Sequence, residues 1–227
     1  MIFRICTPGF IMAVLALSGG RAAACGIELV LAMDVSRSVV NREYDLQMGG
    51  LSAAFRDTAV IQAIEGVEHG VMVTVTQWSG PEAQIQTVPW TRLTGSESAH
   101  SFADRIDATD RAFFAAYTAI GEALVHANGL SATNPVECDK RIIDISGDGA
   151  SNRGLLTNDV ATALAANGVT INGLVIAGAQ PDPIAFYRKN VIRGEGAFVE
   201  IADGFDDYAR AIRNKLLREL TLQVAER

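Results

Sequence analysis

The sequence has few of the residues from which several common catalytic centres are built. Its three histidines, His69, His100 and His126, stand far apart, with no cysteine or glutamate at the spacing of a zinc site. It contains no Gly-x-Ser-x-Gly sequence, which marks the nucleophile turn of many hydrolases, and no glycine-rich phosphate-binding loop. These absences argue against a zinc enzyme, a serine hydrolase of that kind and a nucleotide-binding protein.

Long apolar runs are absent after residue 24, and the sequence before that point is typical of a secretory signal peptide. Arg4 is followed by an apolar run over residues 10–17 and then by Arg21-Ala22-Ala23-Ala24, a small-residue cleavage site. The apolar run is too short to span a bilayer. We therefore predict a signal peptide over residues 1–24, with a retained membrane anchor as the alternative, and a single domain over residues 25–227.

Positive charge is in short supply. The net charge is -7, and removal of Arg4 and Arg21 leaves 17 basic against 26 acidic residues, a charge of -9. An excess of negative charge argues against nucleic acid and anionic membranes as partners.

Cysteine is also scarce. Cys6 lies in the predicted signal peptide, which leaves Cys25 and Cys138 in an oxidising, periplasmic or secreted environment, where they can form one bridge. The sequence Ala22-Ala23-Ala24-Cys25 also permits a lipoprotein cleavage site with Cys25 acylated. Both alternatives stay open on these grounds.

The most informative stretch that is present runs from Leu29 to Ser38. An apolar run, typical of a strand buried on both faces, ends in Asp34, Ser36 and Ser38. Ligand sites of parallel sheets lie beyond the carboxyl ends of the strands, and hard cations such as Mg²⁺ bind oxygen ligands. The pattern fits half of a metal site, or alternatively a strand end followed by a serine that caps the next helix.

A second strand, residues 141–149, repeats this pattern and ends in the glycine-flanked Asp148. Thr118 stands at the amino end of a predicted helix, where it could also serve as a cap. Residues 71–78 and 83–90 predict a hairpin whose second strand, rich in Gln and Thr, fits a sheet edge. Because strands alternate with helices elsewhere, we predict an α/β fold with a doubly wound, mostly parallel sheet, one antiparallel edge strand and helices on both faces.

Two further helix predictions concern which side chains face inward. Apolar residues at helical spacing from Val40 to Phe55 predict one helix packed on the sheet. A final helix is predicted to begin at a cap, Asp203, to turn Phe205 and Tyr208 inward, and to place Lys215 among the basic residues that favour its carboxyl end.

The ordered set of Asp34-x-Ser36-x-Ser38, Thr118 and Asp148 resembles the three loops of the metal-ion-dependent adhesion site (MIDAS) of a von Willebrand factor type A (VWA) domain. The resemblance covers the whole chain after residue 24 and implies a Rossmann-like VWA fold. More narrowly, Asp34-Val35-Ser36, Trp78, residues 144–149 and residues 171–174 are similar to a bacterial exported subfamily of unknown function.

The resemblance implies a role for each residue of the site. Ser36 and Ser38 would bind Mg²⁺ or Mn²⁺ directly, Thr118 directly or through water, and Asp34 and Asp148 largely through water. The cation would then accept a carboxylate from a partner protein. Arg37 departs from the pattern, because such sites often have glycine there. We expect it to point to solvent, with a position at the rim that attracts an acidic ligand as the alternative.

The topology of the family also bears on Cys25 and Cys138. It makes their strands parallel neighbours, so that both cysteines lie at the amino-terminal edge of the sheet and can form a disulfide.

The function implied is therefore an exported, metal-dependent protein-binding module and not an enzyme. One alternative is a phosphatase of the haloacid dehalogenase type, but its Asp-x-Asp acid/base position is Ser36 here. Another is a structural exported protein with a vestigial metal site. Asp144 is expected to accept from backbone donors or to have an internal partner and not to bind metal, and Asn152 is expected to shape its turn.

Overall fold

A computed structural model describes residues 24–114 and 117–225, with side chains described as far as residue 221. The predicted signal peptide therefore lies outside the described residues, apart from Ala24. Within these described residues, six strands form one sheet in the order β3-β2-β1-β4-β5-β6, in which only β3 is antiparallel to its neighbour. The strands are β1 (Cys25–Asp34), β2 (Val71–Trp78), β3 (Gln84–Leu93), β4 (Cys138–Gly147), β5 (Val169–Ile176) and β6 (Val199–Ala202). The predicted fold class, including the antiparallel edge strand, is confirmed.

Helices cover both faces of this sheet. They are α1 (Asn41–Arg56), α2 (Thr58–Gly66), α3 (Ser96–Asp107), α4 (Ile120–Leu130), α5 (Thr157–Ala166), α6 (Pro183–Asn190) and α7 (Tyr208–Ala225). α1, α2, α3 and α7 share one apolar core with the sheet, and α4, α5 and α6 share the other. Among the described residues, none of these helices combines the length and apolar surface that crossing a membrane requires.

The central strand β1 positions the candidate site. All ten of its residues are buried, because β2 and β4 flank it and helices cover both its faces. Asp34 pairs with Trp78 at the end of β2, and Met33 pairs with Ser146 near the end of β4. The three strands are parallel and in register, so the residues that follow them meet at one edge of the sheet.

A disulfide closes the opposite edge of the same strands. Cys25 and Cys138 are directly paired across β1 and β4, with 4.5 Å between their Cα atoms, and their sulfur atoms are bonded. The bridge uses the sulfur atom of Cys25 that acylation would need. The Cys25–Cys138 pairing implied by the resemblance is confirmed.

The last helix holds a buried charge that the sequence pattern did not indicate. Lys215 is fully buried, with its Nζ 2.8 Å from Asp144 Oδ1 and 2.5 Å from Glu219 Oε1. Asn172 Nδ2 donates to the same Glu219 oxygen at 2.8 Å. The internal partner predicted for Asp144 is confirmed, whereas the placement of Lys215 near the carboxyl end of the helix was wrong.

Other helix boundaries also differ from the expectation. Val40 is 55% exposed, because α1 begins one residue later and turns it outward. α2 was not predicted, although Asp57 caps it by accepting hydrogen bonds from the amides of Ala59 and Val60. The final helix is preceded by a short 3-10 turn at Phe205–Asp207, so Asp203 is not its cap.

Candidate metal site

The loop after β1 folds back on itself through its own polar side chains. The Ser36 amide donates to Asp34 Oδ1 at 2.7 Å, which turns the chain as soon as the strand ends. Ser36 and Ser38 are two residues apart, and this turn brings their hydroxyl oxygens within 3.1 Å of each other. Asp34 and Ser36 are buried, whereas Ser38 is exposed, so the hydroxyls lead from the interior to the surface.

The end of β4 brings Asp148 against this loop. Ser38 Oγ donates to Asp148 Oδ1 at 2.9 Å. Gly147 permits the approach, because a Cβ atom there would lie 2.6 Å from the Tyr187 hydroxyl and 3.1 Å from Asp34 Oδ2. A side chain at position 147 would therefore fill the space beside the Asp34 carboxylate.

Thr118 completes the cluster from the loop before α4. Its hydroxyl lies 3.5 Å from Ser36 Oγ. Thr118 is not the helix cap, because α4 begins at Ile120 and the residue before that helix is Ala119. The structure thus brings Asp34, Ser36, Ser38, Thr118 and Asp148 together, here called the five-residue cluster, and their role as metal ligands stays a prediction.

Asn152 does more than shape its own turn. Its side-chain Oδ1 accepts a hydrogen bond from the Thr118 amide at 3.0 Å, and its own amide donates to the Thr118 carbonyl at 2.9 Å. This reciprocal pair ties the loop after β4 to the loop before α4. Asn152 therefore fixes where the Thr118 hydroxyl stands relative to the two serines.

Arg111 is a site residue that the sequence analysis missed. Its guanidinium donates to the carbonyl oxygens of Val35 and Ser36 at 2.8 and 2.9 Å, which holds the loop after β1 from outside. Its charge also lowers the pKa of Asp34, although less than burial raises it. The surrounding loop has no periodic pattern, so no sequence signal pointed to this arginine.

The two carboxylates are poorly compensated by protein groups. Asp34 Oδ2 is buried and has no hydrogen-bond partner among the described residues. Burial, together with the charge of Asp148, raises the pKa of Asp34 to about 7, and burial raises the pKa of Asp148 as well. A divalent cation beside these groups would stabilise their ionised forms.

The donor set fits a hard cation. Two carboxylates and three hydroxyls supply only oxygen, which suits Mg²⁺ or Mn²⁺ with several waters retained. Within residues 24–114 and 117–225 there is no group of three or more His, Cys, Asp or Glu side chains that could hold a metal. The five-residue cluster depends instead on hydroxyls, and a cation held there would give the unpartnered Asp34 oxygen a positively charged neighbour.

A six-stranded, mostly parallel sheet with three loops converging at its carboxyl edge is the architecture of a VWA domain, and solved VWA structures match this chain. Proximal thread matrix protein 1 from the mussel byssus is 18% identical, with a TM-score of 0.61 over 89% of this chain and 49% of that chain. The VWF domain of the pilus tip protein Mfa5 from Porphyromonas gingivalis is 10% identical, with a TM-score of 0.60 over 89% and 97% of the two chains. The pilus adhesin SpaC from Lactobacillus rhamnosus GG is 14% identical, with a TM-score of 0.61 over 89% and 31%.

The chain belongs to the family described as "Protein of unknown function (DUF1194)", which matches residues 24–224. No curated protein sequence matches it significantly. The chain spans about half the length of the first solved structures that it matches. At these low identities the solved structures establish the fold alone.

Proposed function

We propose that this protein is an exported protein-binding module that uses a divalent cation, Mg²⁺ or Mn²⁺, to engage an acidic side chain of its partner. The observation that carries the proposal is the five-residue cluster, in which one Asp34 oxygen is buried without a partner and hydrogen bonds link Ser36, Ser38 and Asp148. In a second solved structure of the mussel protein, whose alignment with this chain has 15% identity, the MIDAS motif is occupied by zinc. That structure supports the capacity of the fold to hold a metal.

Each residue of the cluster has a distinct part in this proposal. Ser36 and Ser38 would bind the cation through their hydroxyls, Thr118 directly or through water, and Asp34 and Asp148 largely through water. The bound cation would supply an electrophilic centre for one further oxygen ligand. Because the direct ligands are neutral, that centre would keep enough positive charge to attract a carboxylate.

Location and partner class follow from other features. The Cys25–Cys138 disulfide supports an oxidising compartment, which agrees with the predicted signal peptide and with a periplasmic or secreted location. A net charge of -7 disfavours nucleic acid as a partner. We therefore propose a protein ligand, and after signal cleavage no stable membrane insertion.

The phosphatase alternative is weaker on the structure. Ser36 stands where such a phosphatase has its second aspartate, and its hydroxyl lies 3.1 Å from that of Ser38. A hydroxyl titrates far above neutral pH, so it does not replace the carboxylate that acts as acid and base. The vestigial-site alternative predicts that metals leave the fold unaffected, which the following experiment tests.

Saturating Mg²⁺ or Mn²⁺ is expected to raise the melting temperature of the protein, and Asp34→Ala is expected to abolish the rise. A ligand that binds only the folded state at 100 times its dissociation constant stabilises it by about 2.7 kcal/mol. For a chain of this size, that corresponds to roughly 5 to 10 °C. Differential scanning calorimetry with and without the metal provides the measurement.

The matched control is Asp45→Ala, which removes an exposed carboxylate on α1 and should leave the metal-induced rise intact.

The metal-induced rise in melting temperature should also be larger at pH 8 than at pH 6. The native Asp34 pKa of about 7 lies above the unfolded value of 3.8, so this group favours folding most at low pH and progressively less up to about pH 7. At pH 8 the Asp34 carboxylate is already ionised, so the metal does not have to displace a proton when it binds.

An equal rise in wild type and Asp34→Ala would place the metal elsewhere.

A further inference from the structure

Exposed apolar side chains are concentrated around the five-residue cluster. Among the described residues, seven large apolar side chains are exposed, and five of these belong to the loops that surround the cluster or directly adjoin them. These five are Val40, Phe114, Tyr117, Leu155 and Leu156, here called the apolar rim. Apolar surface collected at one place on a protein is typical of an interaction site.

Two members of the rim occupy positions where a polar residue would favour the local structure. Val40 and Leu156 are the residues that precede the first turns of α1 and α5, and neither side chain makes a capping hydrogen bond. Ser, Thr, Asp and Asn are strongly preferred at this position because they satisfy free amides of the first turn. Leu156 is nevertheless 73% exposed, so neither capping nor packing accounts for it.

The loop that carries Leu155 and Leu156 is held in place by α4. The Leu155 amide donates to Glu122 Oε1 at 2.7 Å. Gly154 has a φ of +85°, and a Cβ atom there would lie 2.1 Å from the same Glu122 oxygen. A Cβ atom at Gly121 would lie 2.7 Å from the Leu155 carbonyl oxygen, so glycine at this position permits the close approach of the loop to α4. The two leucines are thus presented by a fixed backbone.

A groove lies between this loop and α6, next to the five-residue cluster. It has a volume of about 510 Å³, and Asn152, Leu155, Leu156 and Phe186 are among the residues that line it. Asn152 also forms the reciprocal hydrogen bonds with Thr118 described above. Asn152 therefore borders both the groove and the cluster. A partner segment with one residue at the cluster can place a neighbouring residue in the groove.

The charge of the rim complements an acidic partner. Arg37 and Arg153 are exposed, and neither forms an ion pair with a carboxylate of the described residues. Arg153 lies over the Tyr117 ring at 4.5 Å and donates to its hydroxyl at 3.2 Å, and Arg111 lies over the Phe114 ring at 4.6 Å. Positive charge and apolar surface alternate here, on a chain whose net charge is -7.

We infer that the groove receives a large apolar side chain from the same protein segment whose carboxylate engages the cluster. The inference rests on the proposed function and names the partner's chemistry: an acidic residue with Leu, Ile, Met or Phe close to it in the same segment. The carboxylate supplies the contact with the cation. The apolar side chain, packed against Leu155, Leu156 and Phe186, supplies selectivity between acidic segments.

A displayed random-peptide library tests this inference, with selection on the folded chain in Mg²⁺ and in chelator. The wild type is expected to enrich, in Mg²⁺ only, peptides that combine an acidic residue with a nearby large apolar one. In a synthetic copy of the best peptide, changing the apolar residue to alanine should weaken binding about tenfold, because burial of such a side chain has an effect of that order.

Leu156→Ser is the decisive variant. Serine is a good cap, so the melting temperature of the variant should be unchanged or higher. It should still enrich acidic peptides in Mg²⁺, but the alanine substitution in the peptide should now weaken binding less than twofold. Val125→Ser, which removes another exposed apolar side chain from the outer face of α4, should behave as wild type.

The outcomes separate the two proposals. Mg²⁺-dependent enrichment of acidic peptides with no apolar preference, or a preference that Leu156→Ser leaves unchanged, overturns the inference and leaves the metal site standing. No Mg²⁺-dependent enrichment of acidic peptides overturns the proposed function, and the inference with it. Cosedimentation of wild type, but not of Leu156→Ser, with phosphatidylglycerol vesicles overturns the inference by assigning the rim to a lipid surface.

Discussion

Replacement of Lys215 by methionine is expected to lower the free energy of unfolding by about 3 to 5 kcal/mol, the usual cost of removing one partner from a buried ion pair. The ammonium group lies between the carboxylates of Asp144 and Glu219, and all three side chains are buried. Without it, two carboxylates would remain in the core, where the Asn172 side chain donates one hydrogen bond to Glu219. Urea unfolding monitored by circular dichroism gives the value.

The destabilisation should depend on pH in a defined direction. Burial already raises the pKa of Asp144 above its usual range, and loss of the Lys215 charge would raise it further. A native pKa above the unfolded one favours folding at low pH, so the deficit should be largest above pH 7 and should shrink towards pH 5.

Two further variants give the control. Arg213→Met on the same helix removes only the partly exposed pair with Asp57 and should have a small effect. Combining Lys215→Met with Asp144→Asn and Glu219→Gln should recover part of the loss, because no unpaired charge then remains. A Lys215→Met variant as stable as wild type at pH 8 would contradict this description of the core.

Loss of the Cys25–Cys138 disulfide is expected to lower the free energy of unfolding by about 5 kcal/mol. The two cysteines are 113 residues apart, and the chain-entropy treatment assigns this order of effect to so long a loop. The bridge joins β1 to β4 at the edge opposite the five-residue cluster. Its loss should therefore weaken the whole sheet while leaving the geometry of the cluster intact in the molecules that remain folded.

Cys25→Ser combined with Cys138→Ser supplies the measurement, compared with wild type in urea with and without reductant. The wild type should lose stability when reduced, and the double variant should not respond to reductant. Two titratable thiols in denatured, unreduced wild-type protein would contradict the bridge.

The sequence predicts the parts of this fold that depend on strand patterning. An apolar run that ends in Asp34 and Ser36 is typical of a buried parallel strand with a polar carboxyl end. The same reasoning applies to β4 and Asp148. Ligand sites lie beyond the carboxyl edge of a parallel sheet, but the local patterns do not show which strands are neighbours. The adjacency of β1 and β4, and the addition of Thr118 to the site, are implied by the VWA resemblance.

Other features depend on contacts between segments that are distant in the sequence. Lys215 is buried because Asp144 and Glu219 compensate its charge, and helical spacing does not show that compensation. Arg111 and Asn152 act through backbone atoms of Val35, Ser36 and Thr118, which carry no residue-specific signal. Val40 has the character of a core residue, and only the start of α1 one residue later turns it to the surface.

The most direct test of the proposed metal site is a crystal structure of the protein grown with Mn²⁺, with diffraction recorded at the manganese absorption edge. The proposal predicts one anomalous peak in the five-residue cluster, about 2.1 Å from the hydroxyl oxygens of Ser36 and Ser38, the distance usual for such cations. Asp34→Ala crystals under the same conditions should lack that peak. An ordered cluster with no anomalous peak at saturating Mn²⁺, or a peak bound by other residues, would contradict the account.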